Sequence, residues 1–176
     1  MTKRFLFAGF GGQGVLFAGK VLAYAGLCEG YNVTWLPSYG PETRGGTSNC
    51  SVVISDNEIG SPLVAEPDIL VAMNRPSYDK HAADIADGGA LLADLTFVDC
   101  DGLREDISSI SIPATAIAEE NGLSGLSNMV LLGKLFKQTD IISRNSIRQA
   151  VEKSVSAARK DLISRNILAI ELGQKH

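Results

Sequence analysis

The chain has 176 residues, of which 45% are apolar and 20% charged, with a formal net charge of −4. That length and apolar content describe a folded domain with a proper core and exclude a disordered tail. A mildly acidic chain without a Lys/Arg cluster argues against nucleic acid as a main partner, and no apolar run approaches the ~20 residues of a membrane span.

In chain order, "RFLFAGF" (4–10) is nearly continuous in apolar residues and predicts a first strand buried on both faces. With its glycines and without a small-residue cleavage site, this start reads as a strand and not as a signal peptide, so a cytoplasmic protein is expected. "GFGGQG" (9–14) follows, then "VLFAGKVLAYAGLCEG", whose Val15, Ala18, Leu22 and Ala25 recur at helical spacing, with Gly30 as a stop. "YNVTWLP" predicts a second strand. The unit is strand, glycine turn, helix, strand, which opens an α/β fold.

"YGPETRGGTSN" (39–49) interrupts that rhythm, and "SNCSVVISD" (48–56) predicts the next strand. "DILVAMN" (68–74) and "ALLADL" (90–95) read as further strands, with a helix between them that starts near Pro76. "SSISIPATAIAEENG" gives a short strand and then a short helix. Three helices close the chain. "SNMVLLGKLFKQT" has Ser127 as its N-cap, "SRNSIRQAVEKSV" places Ile147, Val151 and Val155 on one stripe, and "ARKDLISRNILAIELG" ends at Gly173. The fold class expected is α/β, a three-layer open sheet with a glycine turn after strand 1, plus C-terminal helices. Residues 1–124 form its α/β core and 125–176 a helical part of the same single domain.

Gly9, Gly11 and Gly14 fit G-x-G-x-x-G between a strand and a helix, the setting of the dinucleotide fingerprint. The fingerprint also wants an acid at the end of the second strand, and here that strand ends "WLPSYG". Three readings stay open for the turn: contact with a phosphate or cofactor, packing against another subunit with Gln13 bonding it, or a purely structural turn. In the second glycine segment, Arg44 offers a rigid fork to a carboxylate or phosphate, and Thr47, Ser48 and Asn49 add donors and acceptors. A solvated surface loop is the plain alternative. Cys28, Cys50 and Cys100 form no Cys-x-x-Cys pair, so free, mostly buried thiols are expected, without a disulfide framework or a cysteine-held metal site. Asp94, Asp99 and Asp101 read as turn residues, His81 as a packed or surface histidine, Trp35 as core or interface, and Asn128 as a helix-start residue.

Together, "GFGGQGV" (9–15), "PSYGPETRGGTSNCSVVIS" (37–55), "PDILVAMN" (67–74) and "NMVLLGKLF" (128–136) resemble the gamma subunit of the 2-oxoacid:ferredoxin oxidoreductases, most nearly the 2-oxoglutarate type. The same domain is fused into longer chains in the pyruvate and indolepyruvate enzymes. The resemblance runs over nearly the whole chain. It implies one subunit of a complex that decarboxylates a 2-oxoacid on thiamine diphosphate with Mg²⁺, passes electrons through iron–sulfur clusters to ferredoxin, and forms an acyl-coenzyme A. It implies alpha and beta partners, and in some complexes a delta ferredoxin-like one, that carry those cofactors. The gamma chain binds none alone, holds no catalytic or metal-binding residue, and is inactive by itself. The functional residues it implies are Gly11, Gly12, Gln13 and Gly14, then Tyr39, Gly40, Pro41, Glu42, Arg44, Gly45, Gly46 and Thr47, near the coenzyme A side and the subunit junctions. Thr43 departs from the larger apolar residue common in the family. A free-standing nucleotide-binding oxidoreductase and a non-catalytic scaffold protein are the alternatives.

Overall fold

The computed structural model describes residues 1–38 and 47–176. In chain order the elements are β1 (Thr2–Phe10), α1 (Val15–Cys28), β2 (Asn32–Ser38), β3 (Thr47–Ser55), β4 (Ile69–Ala72), α2 (Arg75–His81), β5 (Ala90–Ala93), β6 (Ser108–Ser109), α3 (Ala114–Glu120), α4 (Ser127–Thr139), α5 (Arg144–Ser154) and α6 (Asp161–Lys175). Short 3₁₀ turns at Ala82–Asp84 and Ala157–Arg159 extend α2 and precede α6.

The six strands form one sheet in the order β2-β3-β1-β4-β5-β6. β1, β4, β5 and β6 run parallel, and β3 is antiparallel to both β1 and β2. Side chains alternate across a strand, so each strand feeds two cores. Phe5, Phe7, Val52, Ile54, Val71 and Leu92 face the layer made by α1 and α3–α6. Leu6, Ala8, Leu70, Ala72, Leu91 and Ala93 face Tyr78, Ile85, Val98 and Ile107 on the other side. Covering on both faces explains the unbroken apolar runs in β1 and β4. It also explains β3, buried from Cys50 to Ser55 where only partial alternation is visible in its sequence.

The open α/β sheet with helices on both faces is the architecture expected, and the layers are unequal. The three C-terminal helices are continuous with the α1 layer and share its core. α4 and α6 cross closely at Gly133 and Gly173. A Cβ at either position would overlap the facing helix's backbone at Ile170 or Val130, so glycine is required there.

Helix ends differ from the sequence expectation at four places. α4 is capped at Leu126 without a side-chain bond, and Ser127 is its first helical residue. α5 is capped by Ser143, the earlier of the two starts, Ser143 or Asn145, that its sequence allows, and Ser143 Oγ accepts from Ser146 N at 3.2 Å. Val155 has already left that helix in an extended conformation, and α6 begins at Asp161 and runs past Gly173 to Lys175. Ser156 accounts for the late start of α6: its Oγ accepts from Ala158 N and opens a separate 3₁₀ turn first.

Candidate functional site

β2 and β1 each pair antiparallel with β3, so both end at the edge of the sheet where β3 begins. Phe10 lies opposite Thr47, and Ser38 opposite Asn49. The parallel strands β4 and β5 end at the same edge, which is where open α/β sheets bind ligands. The glycine turn, Ser38 at the end of β2 and Thr47 at the start of β3 therefore meet there.

Gly9 belongs to the end of β1, and the turn proper is Gly11–Gly14. Gly12 and Gly14 have φ of 95° and 76°, the left-handed region that side chains with a Cβ disfavour. Gly14 is the N-cap of α1 and supplies no side-chain acceptor, and the first turn of α1 carries no acid. The amides there lack intrahelical partners and stand at the positive end of the helix dipole. A pocket of about 420 Å³ opens onto them, walled by Phe10, Gly11, Gly12, Ser38, Thr47 and Ser48. Its amides and hydroxyls fit an anionic group, such as a phosphate.

Two side-chain amides pin this turn from opposite sides. Gln13 Oε1 accepts from Phe10 N at 2.7 Å and from Asn74 Nδ2 at 2.8 Å, while its Nε2 donates to Met73 O at 3.1 Å. Gln13 thus ties the turn to the end of β4. Asn74 is buried, and its Oδ1 in turn accepts from Ser77 N at 2.9 Å to cap α2. On the other side Asn128, buried at the start of α4, donates Nδ2 to Gly14 O at 3.1 Å. The turn is shaped in advance: Phe10 O accepts from Gln13 N at 3.2 Å and Gly14 O from Asn128, so its own polar groups are largely tied into the protein.

Of the residues expected at the site, Gly11, Gly12, Gly14 and Thr47 surround this pocket. Gln13 is directed to protein partners. Tyr39, Gly40, Pro41, Glu42, Thr43, Arg44, Gly45 and Gly46 lie outside the described residues. Asn74 was not expected at the site. Its signal is local: an Asn before Arg-Pro-Ser is a helix cap with proline in the first turn, although the apolar run before it reads as a strand through residue 74. The end of β2 also explains the missing acid. In a dinucleotide fold the second strand lies beside the first, whereas here β3 separates them.

Other polar groups serve the fold. Asp94 accepts from Thr96 N, Thr115 N and Thr115 Oγ1, the last at 2.6 Å, and so closes its own turn and the start of α3. Asp99 pairs with Arg75, and Asp101 O accepts from Tyr78 Oη. Burial lowers the pKa of His81, whose Nδ1 lies 3.5 Å from Asp84. Trp35 is half-buried on the edge strand β2. Cys50 is the only fully buried one of the three free cysteines; Cys28 and Cys100 are half-buried.

The pyruvate ferredoxin/flavodoxin oxidoreductase family model matches residues 4–175. Ketoisovalerate oxidoreductase subunit VorA of Methanothermobacter thermautotrophicus is 43% identical over 167 residues, covering 94% of this chain and 34% of that protein. The 2-oxoglutarate synthase subunit KorC of Methanocaldococcus jannaschii is 41% identical over 176 residues, covering 98% of this chain and 92% of that protein. The chain thus spans about a third of the VorA relatives and nearly all of KorC. The crystal structure of the keto/oxoacid ferredoxin oxidoreductase gamma subunit of Geobacter sulfurreducens is 30% identical, with a TM-score of 0.81 over 98% of this chain and 96% of that one.

Proposed function

The chain belongs to the pyruvate ferredoxin/flavodoxin oxidoreductase family, and on that premise we propose that it is the gamma subunit of a 2-oxoacid:ferredoxin oxidoreductase complex. The complex oxidatively decarboxylates a 2-oxoacid to its acyl-coenzyme A and reduces ferredoxin in the cytoplasm. 2-Oxoglutarate is the favoured substrate, because KorC matches this chain nearly end to end while VorA is about three times as long as the matched region.

One observation carries this chain's own part: the pre-shaped glycine turn presents uncapped α1 amides to a pocket at the carboxyl edge of the sheet. That arrangement binds and orients an anion, and among the described residues that line it only hydroxyls, no carboxylate, imidazole, amine or thiol, stand beside it. We assign the coenzyme A phosphates to this turn. To the segment Tyr39–Thr47 we assign contact with coenzyme A or with a partner chain, Arg44 offering the cation for a phosphate or a carboxylate.

Thiamine diphosphate with Mg²⁺ and the iron–sulfur clusters are assigned to the alpha, beta and delta-type partners. When bound there, thiamine diphosphate supplies the electron sink for decarboxylation and the clusters supply the electron path. The described residues supply no ligand set for those groups. Among the described residues no three His, Cys, Asp or Glu side chains come together, and Asp94, the buried acid at this edge, is engaged as a turn and helix cap.

Reconstitution tests the reading. The purified chain alone is expected to reduce no viologen dye with any 2-oxoacid, and to restore the reaction when combined with its partner subunits, with 2-oxoglutarate turned over faster than ketoisovalerate. Dye reduction by the single chain would overturn it, and a preference for ketoisovalerate would overturn the substrate assignment.

A further inference from the structure

Six buried side-chain atoms among the described residues lack a hydrogen-bond partner, and three of them, Asn128 Oδ1, Ser154 Oγ and Asn166 Oδ1, belong to residues walling one pocket. Asn128, Ser154 and Asn166 come from α4, α5 and α6 and are 5%, 9% and 2% exposed. Native proteins seldom leave buried polar atoms unpaired, so three around one opening call for a ligand group.

The other end of each amide fixes which atom is free. Asn128 Nδ2 donates to Gly14 O at 3.1 Å, and Asn166 Nδ2 donates to Leu162 O at 2.7 Å. In both the unpaired atom is therefore the carbonyl oxygen, which accepts only, and Ser154 adds a hydroxyl. The complement is a hydrogen-bond donor, and an N–H suits acceptor-only oxygens better than an O–H because it brings no lone pairs that would go unsatisfied there. Among the described residues no acidic one lines the pocket, and Arg159 is the one charged residue there. An ammonium group would meet a like charge and no counter-charge, so the donor must be neutral. Phe17, Leu126, Val155 and Leu162 supply apolar walls around about 300 Å³. Gly14 and Phe17 also border the glycine-turn pocket, so the N-terminus of α1 stands between the two.

We propose that the α4–α5–α6 pocket is a subsite for a neutral N–H-donating group, an amide or an exocyclic amine, tethered to the anion seated on the glycine turn. The inference rests on the coenzyme A reading above. That molecule carries both kinds of donor, the amides of its pantetheine arm and the amine of its adenine, on either side of one pyrophosphate.

The experiment measures binding of coenzyme A, 4′-phosphopantetheine and adenosine 3′,5′-bisphosphate by calorimetry to the complex purified with its partner subunits. Wild type is compared with Asn166→Leu and Ser154→Ala. Both variants are expected to weaken coenzyme A by about tenfold. Each should weaken only the fragment that enters the pocket, which tells the amide from the amine. Thermal melts of the chain alone should show Asn166→Leu close to wild type, because removing the buried unpaired Oδ1 offsets the loss of the Nδ2 bond to Leu162 O. A merely structural Asn166 would instead lower the melting temperature and leave affinity unchanged. If coenzyme A binds and neither variant alters it or either fragment, the subsite is overturned and the pocket holds internal water only. If the wild-type complex binds neither coenzyme A nor its fragments, the underlying reading falls first. Ser154→Ala removes a single oxygen and carries the test should Asn166→Leu fail to fold.

Discussion

Cys50 lies in the middle of β3, wholly buried, with its Sγ 3.8 Å from the carbonyl oxygen of Val15. It sits close behind the glycine turn, where a reactive thiol would suggest redox chemistry. Burial instead pushes its pKa up to about 12. The thiolate is the reactive species, so at pH 8 only about one molecule in ten thousand is competent there. In the native chain at pH 8, a maleimide is therefore expected to label the half-buried Cys28 and Cys100 and to spare Cys50, as read by peptide mass mapping. Labelling of Cys50 at a rate equal to the other two would restore a redox role for it. At this same scale the sequence showed the glycines of the turn but not their supports. Gly12 and Gly14 are legible because only glycine is at ease at their φ. Asn74 and Asn128 stand 61 residues from Gln13 and 114 from Gly14, respectively, and no local pattern announces a hydrogen bond across such a distance.

The helices depend on contacts at their ends. α1 stops at Cys28, and Glu29 beyond it accepts from Ser143 N at 2.6 Å, so the end of one helix caps the start of α5. Hydrogen bonds from the Ser143 side chain and then its backbone hold the Glu29 carboxyl below its ordinary range. A carboxylate whose folded pKa is depressed contributes stability that is fully present above its unfolded pKa and lost as pH falls through the folded value. Glu29→Gln is expected to cost about 0.5–1 kcal/mol at pH 7, a small figure because the group is open to water, and close to nothing at pH 3. Urea melts of both chains at the two pH values check this, and a cost that persists at pH 3 would show that charge is not its source. Ser143 as a cap was readable from Ser-Arg-Asn-Ser, because that bond is local. Its link to Glu29 was not, and neither was the antiparallel insertion of β3. The composition of β3 says buried strand and nothing of its neighbour, since strand order is decided by which apolar faces meet.

The whole molecule follows from that insertion. β3 between β1 and β2 brings the glycine turn, the end of β2 and the start of β3 to one edge of the sheet, and the layer of α1 and α3–α6 covers one face without a break. We treat the chain as one cooperative unit in which residues 125–176 complete the core of 1–124. Met129, Leu131, Leu132, Leu135 and Phe136 of α4 are buried in the same core as Phe5, Phe7 and Ile54 of the sheet, and Ala169 and Ile170 of α6 close over them. Each large apolar side chain so buried contributes ~1.5–3 kcal/mol, so removing α4 alone forfeits about as much as the ~5–15 kcal/mol by which domains of this size are stable. The cut would also free the Gly14 carbonyl from Asn128 and loosen the turn itself. A fragment of residues 1–124 is therefore expected not to fold, and the intact chain to unfold in one calorimetric transition with matching calorimetric and van't Hoff enthalpies. A soluble 1–124 fragment with native circular dichroism, or two separable transitions, would divide the chain into two domains and detach the glycine turn from its helical support.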